Sequence, residues 1–346
     1  MTNDVTISSH DLIAFGSKLL EATGVTPERA HLVAASLVAA DLRGVDSHGI
    51  QSLPFYIRQI EHSSIRIDAE GHVLSEMGGL ALYDGENGLG QVVSQRCTDL
   101  AIRLGREHGF GIVVARESNH FGAAAYWAQQ ISAEGFIGIV MCDASHVVPP
   151  WQGREGRLGT NPICMSVPGE EWLLDMATTT VARGKMLKAV LRGDKEIPAG
   201  WALDKDGVPT TDPEAAMAGL PMPLGGYKGS GLAMMVEILC GVLSGGAMAT
   251  QVGGIHFYTQ PARISQFFLA LDVARFMPLD QFKARVAHLV AEVKSAPPAL
   301  GYDEVLVAGE PERRVESQRC REGITIPAGV WAKLTENARK WNVPVP

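Results

Sequence analysis

Residues 111–142 read GIVVARESNHFGAAAYWAQQISAEGFIGIVMC, and this stretch decides the fold class. Gly111–Ala115 and Phe136–Cys142 are short runs of β type, and between them Gly122–Ala133 has the spacing of an amphipathic helix. The alternation continues outward. Ile163–Val167, Trp172–Met176 and Gln266–Asp272 read as strands, Gly229–Leu243 as a buried helix and Gln281–Val293 as a helix. Strands interleaved with helices argue for an α/β protein. No repeat of fixed period is present.

Both ends of the chain depart from that alternation. Leu12, Ile13, Phe15, Leu19 and Leu20 lie at helical spacing. Thr26-Pro27-Glu28 supplies a cap, a first-turn proline and an early acid for a helix over Pro27–Leu42. A third helix spans about Leu53–Ile60, the pattern changes near residue 70, and Pro327–Trp341 is helical again. The terminal helices are expected to pack as one domain (residues 1–70 and 312–346). The middle then divides into an α/β part (71–125 and 225–311) and a loop-rich part (126–224).

Composition narrows the function classes. The 346 residues carry 30 Lys+Arg against 38 Asp+Glu, a formal charge of −8, with no basic block, which argues against a nucleic-acid footprint. Apolar residues make up 46% and low-complexity sequence is scarce, so the chain buries a large core rather than remaining disordered. The five cysteines (Cys97, Cys142, Cys164, Cys240, Cys320) are scattered without a CxxC, which is neither a disulfide framework nor a zinc site. The N-terminus lacks a signal-peptide pattern, and the apolar run Gly231–Leu243 is short for a membrane span and broken by Glu237. A cytoplasmic protein is expected, with no membrane partner.

The usual phosphate and nucleophile motifs are missing: no GxGxxG follows a strand, and no GxxxxGK[ST], GxSxG or HExxH occurs. Gly88-Leu89-Gly90 lacks the third glycine of a dinucleotide fingerprint. Two histidines stand in small, glycine-flanked contexts at element ends, Ser47-His48-Gly49 and Asn119-His120-Phe121-Gly122. That is where a general acid/base would be placed, although a capping histidine fits the same pattern. The turn Gly225-Gly226-Tyr227-Lys228-Gly229 feeds a helix, and its backbone N–H groups with Lys228 suit an anion, or simply allow tight packing. Thr178-Thr179-Thr180 could cap a helix or hold a ribose or phosphate, and Asp175 could accept from ribose hydroxyls or cap. The loop Asp143–Thr160 is too long for an idle connection. From the residues alone the chain has an anion site with one or two histidines beside it.

Taken together, DLRGVDSHGI (41–50), SNHFGAAAYWA (118–128), GTNPICMSVP (159–168), LLDMATTTVARGK (173–185), GWALDKDGVPTTDP (200–213) and PLGGYKGSGLAMMVEIL (223–239) resemble the malate/L-lactate dehydrogenase type-2 family, in its order and over about residues 8–340. This is the group of L-sulfolactate, ureidoglycolate and diketogulonate dehydrogenases. The resemblance implies an L-sulfolactate dehydrogenase-like fold with a non-Rossmann cofactor domain, which accounts for the missing GxGxxG. It implies a homodimeric oxidoreductase using NAD or NADP, NAD first, on 2-oxo acids and 2-hydroxy acids, or in one branch on the cyclic imino acids Δ1-piperideine-2-carboxylate and Δ1-pyrroline-2-carboxylate.

By the same resemblance His120 is the acid/base and His48 a substrate contact or second proton handler. Ser47, Ser52 and Tyr56 belong to the substrate site, and Thr160 and Asn161 face the nicotinamide or the substrate. Asp175, Met176, Ala177, Thr178, Lys228, Gly229, Gly309 and Glu310 lie at the cofactor, with Ala308 in place of the family's proline. No metal is implied.

One position departs from the family. Many members carry SHGxxR, whose arginine clamps the substrate carboxylate, and here Ser52 stands at the arginine's place. Either Arg43, Arg157 or Arg183 takes over, or the carboxylate sits differently. Strongly anionic substrates such as malate and sulfolactate become less favoured, and a less charged 2-oxo acid or a cyclic imine more so. A cofactor-binding protein without catalysis is opposed by the retained His48, His120 and Lys228. Arg183 and Lys185 are also candidates for a 2′-phosphate contact.

Overall fold

A computed structural model describes residues 4–169 and 171–346. In chain order its elements are β1 (Val5–Ile7), α1 (Ser9–Ala22), α2 (Pro27–Leu42), α3 (Leu53–Glu61), β2 (His72–Met77), β3 (Leu80–Asp84), α4 (Gly90–His108), β4 (Phe110–Ser118) and α5 (Ala124–Ala133). There follow β5 (Phe136–Cys142), β6 (Ile163–Ser166), β7 (Leu173–Met176), α6 (Arg183–Arg192), β8 (Ala202–Leu203), β9 (Pro209–Thr210), α7 (Pro213–Ala218), β10 (Leu220–Pro221) and α8 (Tyr227–Glu237). The last are β11 (Ile264–Asp272), α9 (Leu279–Lys294), α10 (Glu310–Glu322), β12 (Ile324–Ile326) and α11 (Ala328–Lys340).

The two ends of the chain meet in one apolar core. β1 pairs antiparallel with β12 through Val5–Ile326 and Ile7–Ile324. Leu12, Leu19 and Leu20 of α1, Val33 and Leu37 of α2, Leu53 and Ile57 of α3, and Leu334 of α11 share one apolar core. Ser8 caps α1 by accepting from the Asp11 N–H, and Pro27 opens α2 where its missing N–H has no partner to lose.

A seven-stranded sheet in the order β2-β3-β4-β11-β5-β6-β7 forms the middle. Only β3 and β4 run parallel; every other neighbour is antiparallel. β11 arrives late in the chain and inserts between β4 and β5, so Phe268 faces Val113 on one side and Val140 on the other. The division expected at residues 125/126 falls within α5, and one continuous sheet spans the parts on either side of it. Strand spacing along the chain carries no information on that insertion, because it depends on a pairing partner over a hundred residues away. α4 and α5 cover one face of the sheet around Trp127, Ile131 and Leu104. A smaller lobe within 181–221 has its own core of Val181, Met186, Ala189, Ile197, Ala202 and Ala216.

Gly229–Leu243 is not a uniformly buried helix. α8 passes into a π-helical turn over Ile238–Val242, and its inner side, Val236 and Cys240, packs beneath Val114, Met141 and Phe267 of the sheet. Its outer side leaves Met234 and Ile238 each 52% exposed, with Val242 and Leu243 beside them. Apolar residues all round made the segment look enclosed, but one flank of the chain stays open. Glu237, which interrupts the run, is buried and accepts from Asn161 Nδ2 and the Ala249 N–H. Among the described residues no helix is long and apolar enough to cross a membrane.

Candidate active site

A cleft of about 540 Å³ lies between the terminal helical core, the β7 edge of the sheet and the small lobe. It runs from Ser47 and His48 past Gly122–Ala125, Thr160 and Asp175–Ala177 to Val307–Gly309, with Arg43, Arg183 and Glu312 as further charged groups. The SHG segment, Gly122 at the end of SNHFG, LLDMA and the 307–312 turn, distant in sequence, thus converge on one space.

His120 sits at the end of β4. Its loop is held by Asn119, whose buried amide donates to the carbonyls of Asn87 and Gly88. The run Gly88-Leu89-Gly90 finds its purpose here. A Cβ on Gly90 would come within 2.2 Å of the His120 carbonyl oxygen, so only glycine lets the N-terminus of α4 lie against the histidine's backbone. The next residue, Gln91, is buried and donates from Nε2 to Tyr56 Oη at 3.0 Å. Tyr56 Oη in turn lies 2.5 Å from His120 Nδ1. The Gly122 N–H, which can only donate, also points at Nδ1 from 3.4 Å, so at rest Nδ1 is assigned as the acceptor of the Tyr56 proton and the proton of the neutral ring is on Nε2.

His48, on the single turn Asp46–His48 after α2, stacks on His120 with ring centroids 5.6 Å apart and accepts or donates at Nδ1 to Ser47 Oγ, 2.9 Å away. Burial lowers the pKa of both rings; the proximity of His48 and His256 adds to the effect at His120, which is pushed down to about 3. Burial likewise raises the Tyr56 phenol. His256 was missed in the sequence because it lies in a turn-rich segment with no neighbouring motif; it packs edge-on against Phe55.

The turn that carries His48 is set by a residue five positions before it. The Asp41 carboxylate, at the buried end of α2, accepts from the Ile50 N–H at 2.7 Å, and a Cβ on Gly49 would overlap Asp41 Oδ1. Ser52, buried at the start of α3, donates its N–H to the Gly49 carbonyl and does not line the cleft.

On the far wall, Asp175 divides its two oxygens. Oδ2 accepts from the Ala125 N–H, one of the unpaired donors in the first turn of α5, and the group faces the cleft. Desolvation by the surrounding protein is the larger effect on its carboxyl, pushed up to about 6, with Arg43 pulling the other way. Thr178 donates to the Thr160 carbonyl, Thr179 to Val181 and Thr180 to Pro223. None of the three caps α6, whose N-cap residue is Ala182. They pin the loop instead. Gly309, at φ +83, approaches the Leu173 carbonyl so closely that a Cβ would sit 2.8 Å from it. Glu310 beside it is committed to Lys294, Arg314 and the Val307 N–H, and the ion pairs hold its carboxyl low.

Four sequence candidates lie elsewhere. The Asn161 side chain is buried away from the cleft, accepting from the Ala144 N–H and donating to the Ala233 carbonyl and Glu237. Lys228 is exposed on α8 and does not line the cleft, while Gly229 packs against the Thr178 carbonyl, 2.6 Å from where its Cβ would be. Arg157 is outside too, paired with Glu155.

The cleft is lined by the His48 imidazole, with His120 stacked behind it, and by the Asp175 carboxylate, on a sheet without a Rossmann phosphate turn. The chain belongs to the malate/L-lactate dehydrogenase family, which its sequence matches over residues 7–335. It is 38% identical to a malate dehydrogenase of Pyrococcus horikoshii over 351 residues, covering 99% of this chain and 97% of that one. The structure of the sulfolactate dehydrogenase of Methanocaldococcus jannaschii superposes with a TM-score of 0.92 at 35% identity, over 98% of each chain. That of the Δ1-piperideine-2-carboxylate reductase of Pseudomonas syringae gives 0.85 at 27% identity, over 96% of this chain and all of the other. The protein is thus an oxidoreductase with the L-sulfolactate dehydrogenase-like fold, of a family acting on hydroxy acids and implying a nicotinamide cofactor.

The donor set suits such a cofactor: an open carboxylate at Asp175 for ribose hydroxyls, and small residues at Gly122–Ala125 and Ala177 that leave room for flat rings.

Proposed function

We propose that this protein transfers a hydride between NAD(P) and a 2-oxo acid/2-hydroxy acid pair, with His120 moving the proton. The observation that carries this reading is the Gln91–Tyr56–His120 chain, which ends on an imidazole stacked behind His48, the histidine that lines the cleft. The bound nicotinamide supplies or accepts the hydride; the rest is done by the chain's own groups. In reduction, imidazolium Nε2–H gives its proton to the 2-oxygen as negative charge grows there, and Nδ1–H is held by the Tyr56 oxygen. In oxidation Nε2 receives the alcohol proton. A hydroxyl can accept or donate, so Tyr56 supports both states of the ring. His48, stacked on His120, orients the substrate oxygen. Asp175, Met176, Ala177 and Gly309 hold the cofactor, and Thr160 lies between the two.

The resemblance to a cyclic imino acid reductase, together with Ser52 in place of a charged clamp, favours a second reading in which the reduced bond is C=N. One preparation assayed with 2-oxo acids and with Δ1-piperideine-2-carboxylate, each with NADH and NADPH, separates the two by the loss of reduced-nicotinamide absorbance. Failure of every pair overturns both. We further propose a homodimer closed over the apolar flank of α8, where Met234, Ile238, Val242 and Leu243 are exposed. Light scattering on wild type and Ile238→Glu tests it; a wild-type monomer refutes it.

A further inference from the structure

The cleft holds few charges, and their pairing singles one out. Arg43 is 6% exposed, bonds Glu316 at 3.0 Å and acts on Asp175, so its charge is balanced where it stands. Asp175 and Glu312 are acids. Arg183 is the remaining cation, and among the described residues it has no carboxylate partner. The side chain is exposed, one of its N–H groups donates to the Met217 carbonyl at 2.7 Å, and its other donors are left unengaged there.

Its place is at the reacting end. Gly184, the next residue, has its Cβ position 4.0 Å from Ser47 Cβ, so the first turn of α6 abuts the segment carrying His48. The Arg183 charge is also felt by His256, whose ring acts on His120. Arg183 therefore lines the same cleft as His48, beside the Ser47 segment, whereas Ser52 is buried, contributes no charge and does not reach the space.

We propose that Arg183 binds the substrate's carboxylate, and that the site takes 2-oxo or cyclic imino acids bearing that single anionic group. This rests on the function proposed above and adds its substrate class. A second carboxylate on the substrate would find no unbalanced cation among the described cleft residues and would face Asp175 or Glu312. Arg183 is carried by the small lobe, which has its own core, so the acid bridges that lobe to the histidines.

The test compares 2-oxo monocarboxylic acids, from pyruvate to phenylpyruvate, with their methyl esters, with oxaloacetate and with Δ1-piperideine-2-carboxylate. Wild type, Arg183→Ala and Arg183→Lys are assayed, and NADH and NADPH affinities are measured by fluorescence to show that each variant is folded. Loss of a charged hydrogen bond predicts a fall of roughly 10- to 100-fold in kcat/KM for the acids in Arg183→Ala, with esters little changed, so the acid/ester ratio collapses, and partial recovery in Arg183→Lys. An unchanged ratio overturns the assignment, as does weakened NADPH binding with the ratio intact, which would give Arg183 to a 2′-phosphate. Wild-type preference for oxaloacetate over every monoacid overturns the single-carboxylate class. A wild type inert toward all of them overturns the proposed function itself, an outcome distinct from the others.

Discussion

Tyr56 Oη and His120 Nδ1 are 2.5 Å apart, and the same hydroxyl accepts from buried Gln91. The contact fixes the ring's orientation and its tautomer without itself facing the cleft. Tyr56→Phe removes both while keeping the packed ring. Turnover is expected to fall about 10- to 100-fold with the Kd for NADH unchanged, against at least ~10²-fold for His120→Ala. Gln91→Leu should have a smaller effect in the same direction. Steady-state kinetics beside fluorescence titration decide it; full turnover in Tyr56→Phe removes the tautomer argument.

The low basicity of His120 shapes the pH profile. A ring pushed down to about 3 is neutral in the free enzyme throughout the neutral range. Reduction needs the protonated ring, so log kcat/KM for reduction should fall by about one per pH unit above about pH 5, while that for oxidation, which needs the neutral ring, stays flat over the same range. A bell centred near neutrality would instead show that His120 titrates normally. The lowering is shared with His48 and His256, so His256→Ala should shift the curve toward higher pH.

Asp175 offers an independent reading of cofactor binding. Its carboxyl, pushed up to about 6, is ionised above that pH and protonated below it. If the open oxygen accepts from ribose hydroxyls, NADH binds more tightly as pH rises from about 5 to 7. Asp175→Asn should weaken binding about tenfold at pH 8 and flatten the dependence. Equal affinity and slope in the two proteins would detach Asp175 from the cofactor.

How much of this was readable beforehand follows physical lines. Local signals held: Phe136–Cys142 and Pro27–Leu42 have the same bounds in sequence and structure, because a β run or a proline-opened helix is set by near neighbours. Helix α4 has no clear signal in the sequence, and Gly88-Leu89-Gly90 at its start lacks the third glycine of a dinucleotide fingerprint. Its meaning depends on a backbone thirty residues away. The same holds for Asn161, which looked like a ligand-facing residue and is a buried tie between a loop and α8. Residues whose partners are distant in the chain leave no spacing to read. Arg43, Arg157 and Arg183 were equivalent as letters, and only their partners tell them apart.

The Asp41–Gly49 contact links stability to the active-site turn. Burial raises the Asp41 carboxyl to about 8, while the Ile50 N–H pulls it the other way. Because the folded form binds the proton more tightly than the unfolded chain, stability from this group is complete below about pH 4 and is lost as pH rises through about 8. The slope is at most about 1.4 kcal/mol per pH unit. Asp41→Asn keeps an acceptor for Ile50 and cannot ionise. It should therefore lose less stability than wild type between pH 5 and 8 in denaturant melts, and match it or fall slightly below at about pH 4. Gly49→Ala strikes the same contact from the other side. The added methyl has no space beside Asp41 Oδ1, so the turn must shift, and His48 with it. We expect a loss of several kcal/mol, on the scale of overpacking in a core, and in the surviving folded protein a turnover defect that Asp41→Ala, by opening space, partly restores. A double variant no better than Gly49→Ala alone would show that the turn is held by something other than this carboxylate.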